Sequence, residues 1–102
     1  MASSKGYLDF ILEQLSGTGE ITYRAMMGEY ILYDRGRIVG GIYDDRLLVK
    51  PVRAALSLMP DAIREAPYEG AKPMLRVDDV DNKEFLRQLF QAMYDELPAS
   101  KK

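Results

Sequence analysis

An α+β fold is what this sequence predicts, a two-layer sandwich with one antiparallel sheet packed against helices. Three observations predict it. Apolar residues recur at helical spacing near both ends of the chain. Between Glu20 and Lys50 the pattern changes to four short β-rich runs. The breaks between those runs are too short for a crossover helix, so neighbouring strands must be antiparallel.

Taken in order, Tyr7, Leu8, Ile11, Leu12 and Leu15 form the apolar side of a first helix, with Asp9, Glu13 and Gln14 opposite. Ser3 or Ser4 caps its start, and Gly17 with Gly19 ends it. The β-rich runs are 21–26, 30–33, 37–43 and 46–50, a meander broken at Gly28, Asp34-Arg35-Gly36 and Asp44-Asp45. A two-residue turn at Asp44-Asp45 pairs Tyr43 with Arg46, Gly41 with Leu48 and Val39 with Lys50. Cross-strand partners share a face, so Ile38, Gly40, Ile42, Leu47 and Val49 are expected together under the helices. The opposite face then carries Arg37, Val39, Tyr43, Arg46, Leu48 and Lys50. Read as a three-residue loop ending in glycine, Asp34-Arg35-Gly36 pairs Tyr33 with Arg37 and adds Ile31 and Tyr33 to that mixed face. A two-residue Arg35-Gly36 turn would instead move the run 30–33 to the other face.

Pro51 ends the meander, and 52–59 reads as a short helix packing through Ala54, Ala55, Leu56 and Met59, stopped by Pro60. Residues 61–72 read as loop with room for one turn of helix, with Pro67 and Gly70 as breakers, and 74–77 as a strand added to the sheet. Asp81, with Glu84 three residues on, is the expected N-cap of a last helix buried through Phe85, Leu86, Leu89, Phe90 and Met93 and running to about Glu96. The predicted order is α-β4-α-β-α: one domain over residues 1–98, with 99–102 as a flexible tail.

Composition narrows function by what it lacks. The 102 residues include no His, Cys or Trp, which excludes a Ser-His-Asp triad, a thiolate nucleophile and a zinc finger. Apolar residues make up 47% and charged residues 29%, an ordinary globular balance. With 16 acidic and 14 basic side chains the formal charge is −2, which argues against autonomous binding to nucleic acid. No apolar run approaches a signal-peptide core or a membrane span. The expected compartment is the cytoplasm.

Candidate sites divide into turns and caps on one side and contact surface on the other. Asp78-Asp79-Val80-Asp81 and Glu84 invite a calcium loop, but no register supplies the glycine and the terminal glutamate that such a loop needs. Acidic residues at a helix start satisfy the free N–H groups and the macrodipole instead. Asp44-Asp45 reads as a turn, and Gly17-Thr18-Gly19 lacks the rest of a phosphate loop. Gly40-Gly41 in mid-strand demands a close approach: a tightly packed helix or a bulge, or a groove or partner backbone on the mixed face. Met26-Met27-Gly28 places two methionines at a turn, as core residues or as an adaptable contact surface. No catalytic, metal or cofactor residues are expected.

Several of these residues together resemble a known family. Tyr23-Arg24-Ala25-Met26-Met27-Gly28 is similar to the aromatic-basic-x-Met-Phe-Gly start of TfoX/Sxy N-terminal domains, with Met27 where Phe is commoner. Leu47-Leu48-Val49-Lys50 resembles the Lys-terminated strand of that family, and Pro67-Tyr68 and the run 74–77 fall where it has its Pro-aromatic pair and later strand. The resemblance covers nearly the whole chain. It implies a secretion-chaperone-like α+β fold and a role in bacterial regulation, since full-length members are competence regulators that act as transcriptional coactivators and carry a second, helical domain. The expected function is therefore that of a stand-alone, non-enzymatic regulatory domain working through a protein partner, with the mixed face as its contact surface or as a homodimer interface. A nucleic-acid module using Arg37, Arg46 and Lys50 on phosphates with Tyr43 stacking is the alternative, and a small-molecule binder or enzyme with a pocket near Gly40-Gly41, using Tyr or carboxylates, is the third.

Overall fold

The computed structural model describes residues 3–98; the expected tail at 99–102 lies outside the described residues. The elements are α1 (Lys5–Gln14), β1 (Ile21–Met26), β2 (Glu29–Asp34), β3 (Arg37–Ile42), β4 (Leu47–Val49), α2 (Arg53–Leu58), β5 (Arg64–Glu65), β6 (Met74–Val77) and α3 (Lys83–Tyr94). All strand pairs are antiparallel in a six-stranded sheet of order β1-β2-β3-β4-β6-β5. The added strand β6 pairs with β4. β5 was expected as loop; at two residues it carries too little pattern to be legible.

Ser4 is the cap of α1, its side chain accepting from the Tyr7 N–H at 3.1 Å. Asn82, not Asp81, caps α3 by accepting from the Phe85 N–H at 3.0 Å. Asp81 sits one residue too early to reach that third amide. The helix also stops at Tyr94, two residues before the expected end.

The three helices cover one face of the sheet. Leu8, Ile11 and Leu15 from the first helical segment, Ala55 from α2, and Leu86, Leu89, Phe90 and Met93 from α3 pack on Leu32, Val39, Ile42, Leu47, Val49, Leu75 and Val77. Each fully buried Leu or Phe of this set contributes about 1.5–3 kcal/mol. Gln14, expected on the polar side of α1, is buried and donates to the Val80 carbonyl at 2.9 Å.

Three two-residue turns build the meander: Met27-Gly28, Arg35-Gly36 and Asp44-Asp45, with φ of 52° and 86°, 50° and 86°, and 53° and 57°. Positive φ at both positions is the hand that matches strand twist. The pairing of Gly41 with Leu48 is as expected, but the Asp34-Arg35-Gly36 loop is not: Asp34 pairs with Arg37 around a two-residue turn. That shift alone would move Ile31 and Tyr33 under the helices. A bulge reverses it, because Leu32 pairs with Gly40 while Tyr33 pairs with Ile38, leaving Val39 as the extra residue. Ile31 and Tyr33 therefore share the open face with Gly41, as expected, by a different route.

Between turn and bulge, the faces of three residues exchange. Arg37 and Val39, expected on the mixed face, lie on the helix side, and Ile38, expected in the core, lies on the open face. Val39 is fully buried in the core cluster. The Arg37 guanidinium donates to the Tyr94 and Leu97 carbonyls at 3.1 and 3.4 Å, closing the end of α3. It also lies 4.5 Å from the Tyr94 ring centroid, with Arg35 at 3.7 Å. A β-carbon on Gly40 would run into the Leu48 carbonyl and stand 2.7 Å from the Val49 Cα. Only glycine lets β3 approach β4 this closely beside the bulge.

Candidate functional site

The open face of the sheet is a groove with an apolar floor. Ile31 from β2, Ile38 from β3, Met26 from the end of β1 and Met74 from β6 line it. The loop between β5 and β6 folds back as one wall, contributing Pro67, Tyr68, Ala71, Lys72 and Pro73, and Lys50-Pro51 closes the end of β4. The cavity holds about 350 Å³, the low end of the range for ligand pockets.

Gly40 lines the groove, and glycine at position 41 seats the Tyr43 ring that lines it beside Gly40. A β-carbon on Gly41 would stand 2.6 Å from the Tyr43 ring and 2.6 Å from the Tyr30 carbonyl oxygen. The Tyr43 ring therefore lies back across its own strand, buried over Gly41. Burial pushes the Tyr43 phenol up from its ordinary value, with the charges of Tyr68 and Glu29 adding to the same direction. Leu48, between Gly41 and Arg76 on this face, is fully buried.

Beside the groove the same face carries an ion-pair ladder. Arg46 pairs with Glu65 and with Asp44 at 3.7 Å, and Arg76 reaches Glu65 at 3.9 Å and Asp78 at 2.8 Å. Arg46 also donates to the Tyr43 carbonyl at 3.3 Å. Its guanidinium is thus occupied in holding the Asp44-Asp45 turn to β5.

Of the six residues expected to form one contact face, Tyr43 and Lys50 line the groove, Leu48 lies buried beneath the open surface, and Arg46 belongs to the ladder. Arg37 and Val39 belong to the helix side. The phosphate-binding trio Arg37, Arg46 and Lys50 is not brought together, and Tyr43 is too buried to stack a base. Sequence reasoning missed Ile38 and Lys72 as lining residues. The first is hidden by the bulge, and the second reaches the site only through the fold-back of the loop.

Of the six motif positions, Met26 and Lys50 reach this groove, joined by residues from the other resembling stretches. Met26, Lys50, Pro67, Tyr68 and Met74 lie in four separate segments of sequence, and all line this groove. Tyr23 does not: it pairs with Leu32 on the helix side and meets the Tyr30 ring edge-on at 5.7 Å. Arg24 pairs with Ile31 and stands on the open face beside the groove. Met27 and Gly28 form the β1–β2 turn. Exposed apolar surface gathers at the rim: Met26 is 38% exposed, Ile38 37%, Tyr68 60% and Met27, at the hairpin tip, 95%.

Fold and groove together define an α+β sandwich with an apolar groove on the uncovered face of its sheet. No protein-family model matches the chain, and no solved structure matches it. It is 31% identical over 102 residues to the "uncharacterized 12.7 kDa protein in trpE 5'region" of Spirochaeta aurantia, an alignment spanning 99% of this chain and 89% of that protein. The chain belongs to the family of that spirochaete protein.

Proposed function

We propose that this chain is a non-enzymatic bacterial regulatory domain that acts in the cytoplasm by docking a protein partner in the open-face groove. The observation that supports this reading is one groove with an exposed apolar rim, lined by Met26 and Lys50 of the six motif residues and by Pro67, Tyr68 and Met74 from the other stretches of its TfoX/Sxy resemblance. Apolar surface grouped around a cavity is the usual geometry of a protein contact site. No Asp or Glu is among the residues that line the groove. Among the described residues no helix is long and apolar enough to cross a membrane.

The test is affinity capture from a bacterial lysate, with and without nuclease, using the wild-type chain and the Ile38→Asp and Tyr68→Asp variants. Tyr68 is 60% exposed in a loop, so Tyr68→Asp keeps the wild-type circular dichroism and melting temperature. Ile38 is 37% exposed on β3, so Ile38→Asp lowers the melting temperature modestly at an unchanged circular dichroism spectrum. The expected result is a nuclease-resistant protein partner that both substitutions lose at least tenfold. Unchanged capture by both variants overturns the reading. Light scattering separates the homodimer: a concentration-dependent dimer that the same substitutions dissolve makes the partner a second copy of the chain.

A further inference from the structure

The charges around the groove indicate the chemistry of its occupant. The charged residues lining it are Lys50 and Lys72; no Asp or Glu lines it. Arg24 stands on the same face, across β1–β2 from Ile31. None of these three cations has a carboxylate partner among the described residues. The neighbouring Arg46 and Arg76 are both engaged by Glu65, Asp44 and Asp78. A chain with more acidic than basic residues thus sets only cations among the charged groups that line its groove. The nearby Glu65 is taken up by Arg46 and Arg76, and Glu29 by Ser3 and the Asp44 N–H.

From this we infer that the groove takes a peptide segment of the partner whose apolar side chain enters the cavity and whose flanking Asp or Glu residues meet Lys50, Lys72 and Arg24. The inference rests on the reading of the groove as a docking site. A segment, and not a free carboxylic acid, fits the exposed rim. A small acid filling about 350 Å³ would touch Ile38 and Tyr68 but leave Met27 at the hairpin tip wet, whereas a chain running on past the groove covers it too. Exposed ion pairs are individually weak, so the charges select the occupant and the apolar anchor supplies most of the affinity.

The experiment titrates the isotope-labelled full chain, by NMR, with acetylated and amidated Ser-Gly-Asp-Leu-Phe-Asp-Gly-Ser. Versions carrying Asn or Lys in place of Asp, and octanoate, are titrated in parallel. The acidic peptide shifts the amide signals of Ile38, Lys50 and Tyr68. It binds about threefold tighter than the Asn version and about tenfold tighter than the Lys version at ~50 mM salt, and the difference collapses near ~0.5 M. The double variant Lys50→Gln, Lys72→Gln removes most of the preference at an unchanged melting temperature. Equal binding of all three peptides at the groove overturns the charge inference while leaving the docking reading intact. Octanoate shifting these signals when no peptide does overturns it in favour of a small acid. Silence of these signals in every titration, with partner capture still lost in Tyr68→Asp, overturns it too. Failure of the docking reading itself shows elsewhere, as capture that Ile38→Asp and Tyr68→Asp leave unchanged.

Discussion

The Met27 side chain is 95% exposed on a residue whose φ is 52°. Folding gives it no burial, and the left-handed conformation costs a non-glycine residue about 1 kcal/mol. Asparagine adopts that conformation more readily and, before Gly28, completes the dipeptide most favoured in two-residue hairpin turns. Met27→Asn should therefore raise stability by about 0.5–1 kcal/mol in urea denaturation and weaken partner capture several-fold. A variant that gains stability at no cost in capture shows that Met27 is only a turn residue. The opposing signs distinguish a contact residue from a structural one. Met26 could be singled out in the sequence beside Met27, but their different fates, groove wall and hairpin tip, depend on the turn being two residues long.

At the scale of elements, the caps show how one residue of offset decides an assignment. Asp81 and Asn82 are both good N-cap types, and only the amide that each reaches separates them. Asn82→Ala should lower stability by about 1 kcal/mol, whereas Asp81→Ala should change it by less than about 0.5 kcal/mol. Thermal melts of the two variants check this, and the reverse order refutes the Asn82 cap. The helices and the β3–β4 hairpin were legible because periodicity and turn chemistry agree there. The face of Arg37, Ile38 and Val39 was not. Adjacent β-branched residues at 38 and 39 offer no alternation to read, and the bulge that decides between them is fixed by tertiary demands. Val39 fills the core under the helices while Arg37 reaches the open carbonyls at the end of α3. The groove was legible only in pieces. Gly40-Gly41 announced a close approach, and the motif residues announced importance. Nothing local says that residues 67–73 fold back over the sheet to join them.

For the molecule as a whole, the absence of histidine sets the pH response. No side chain with an ordinary pKa between about 5 and 8 is present, so stability should be nearly flat from pH 6 to 9. The groups that respond are alkaline. Burial raises the phenols of Tyr7 and Tyr43, and Asp9 raises the Lys5 ammonium, chiefly through its hydrogen bond. In each the folded pKa lies above the unfolded one, which is about 10 for tyrosine and slightly higher for lysine. Below the unfolded value both states hold the proton and the stabilisation is fully present. As pH rises past it, the unfolded chain loses protons that the folded chain retains, so stability falls until the folded pKa is passed. Calorimetric melting temperatures from pH 6 to 11 should therefore form a plateau that breaks near pH 10. Tyr43→Phe, which removes one of the three groups, should make the alkaline fall shallower than in the wild type. A melting temperature that already declines between pH 6 and 8, or an alkaline limb that Tyr43→Phe leaves unaltered, contradicts the argument. The same plateau bears on the groove. With Tyr43 neutral over Gly41 throughout it, the floor beneath Lys50 and Lys72 carries no titrating negative charge, and the acidic-peptide preference should hold constant across the range in which the fold does.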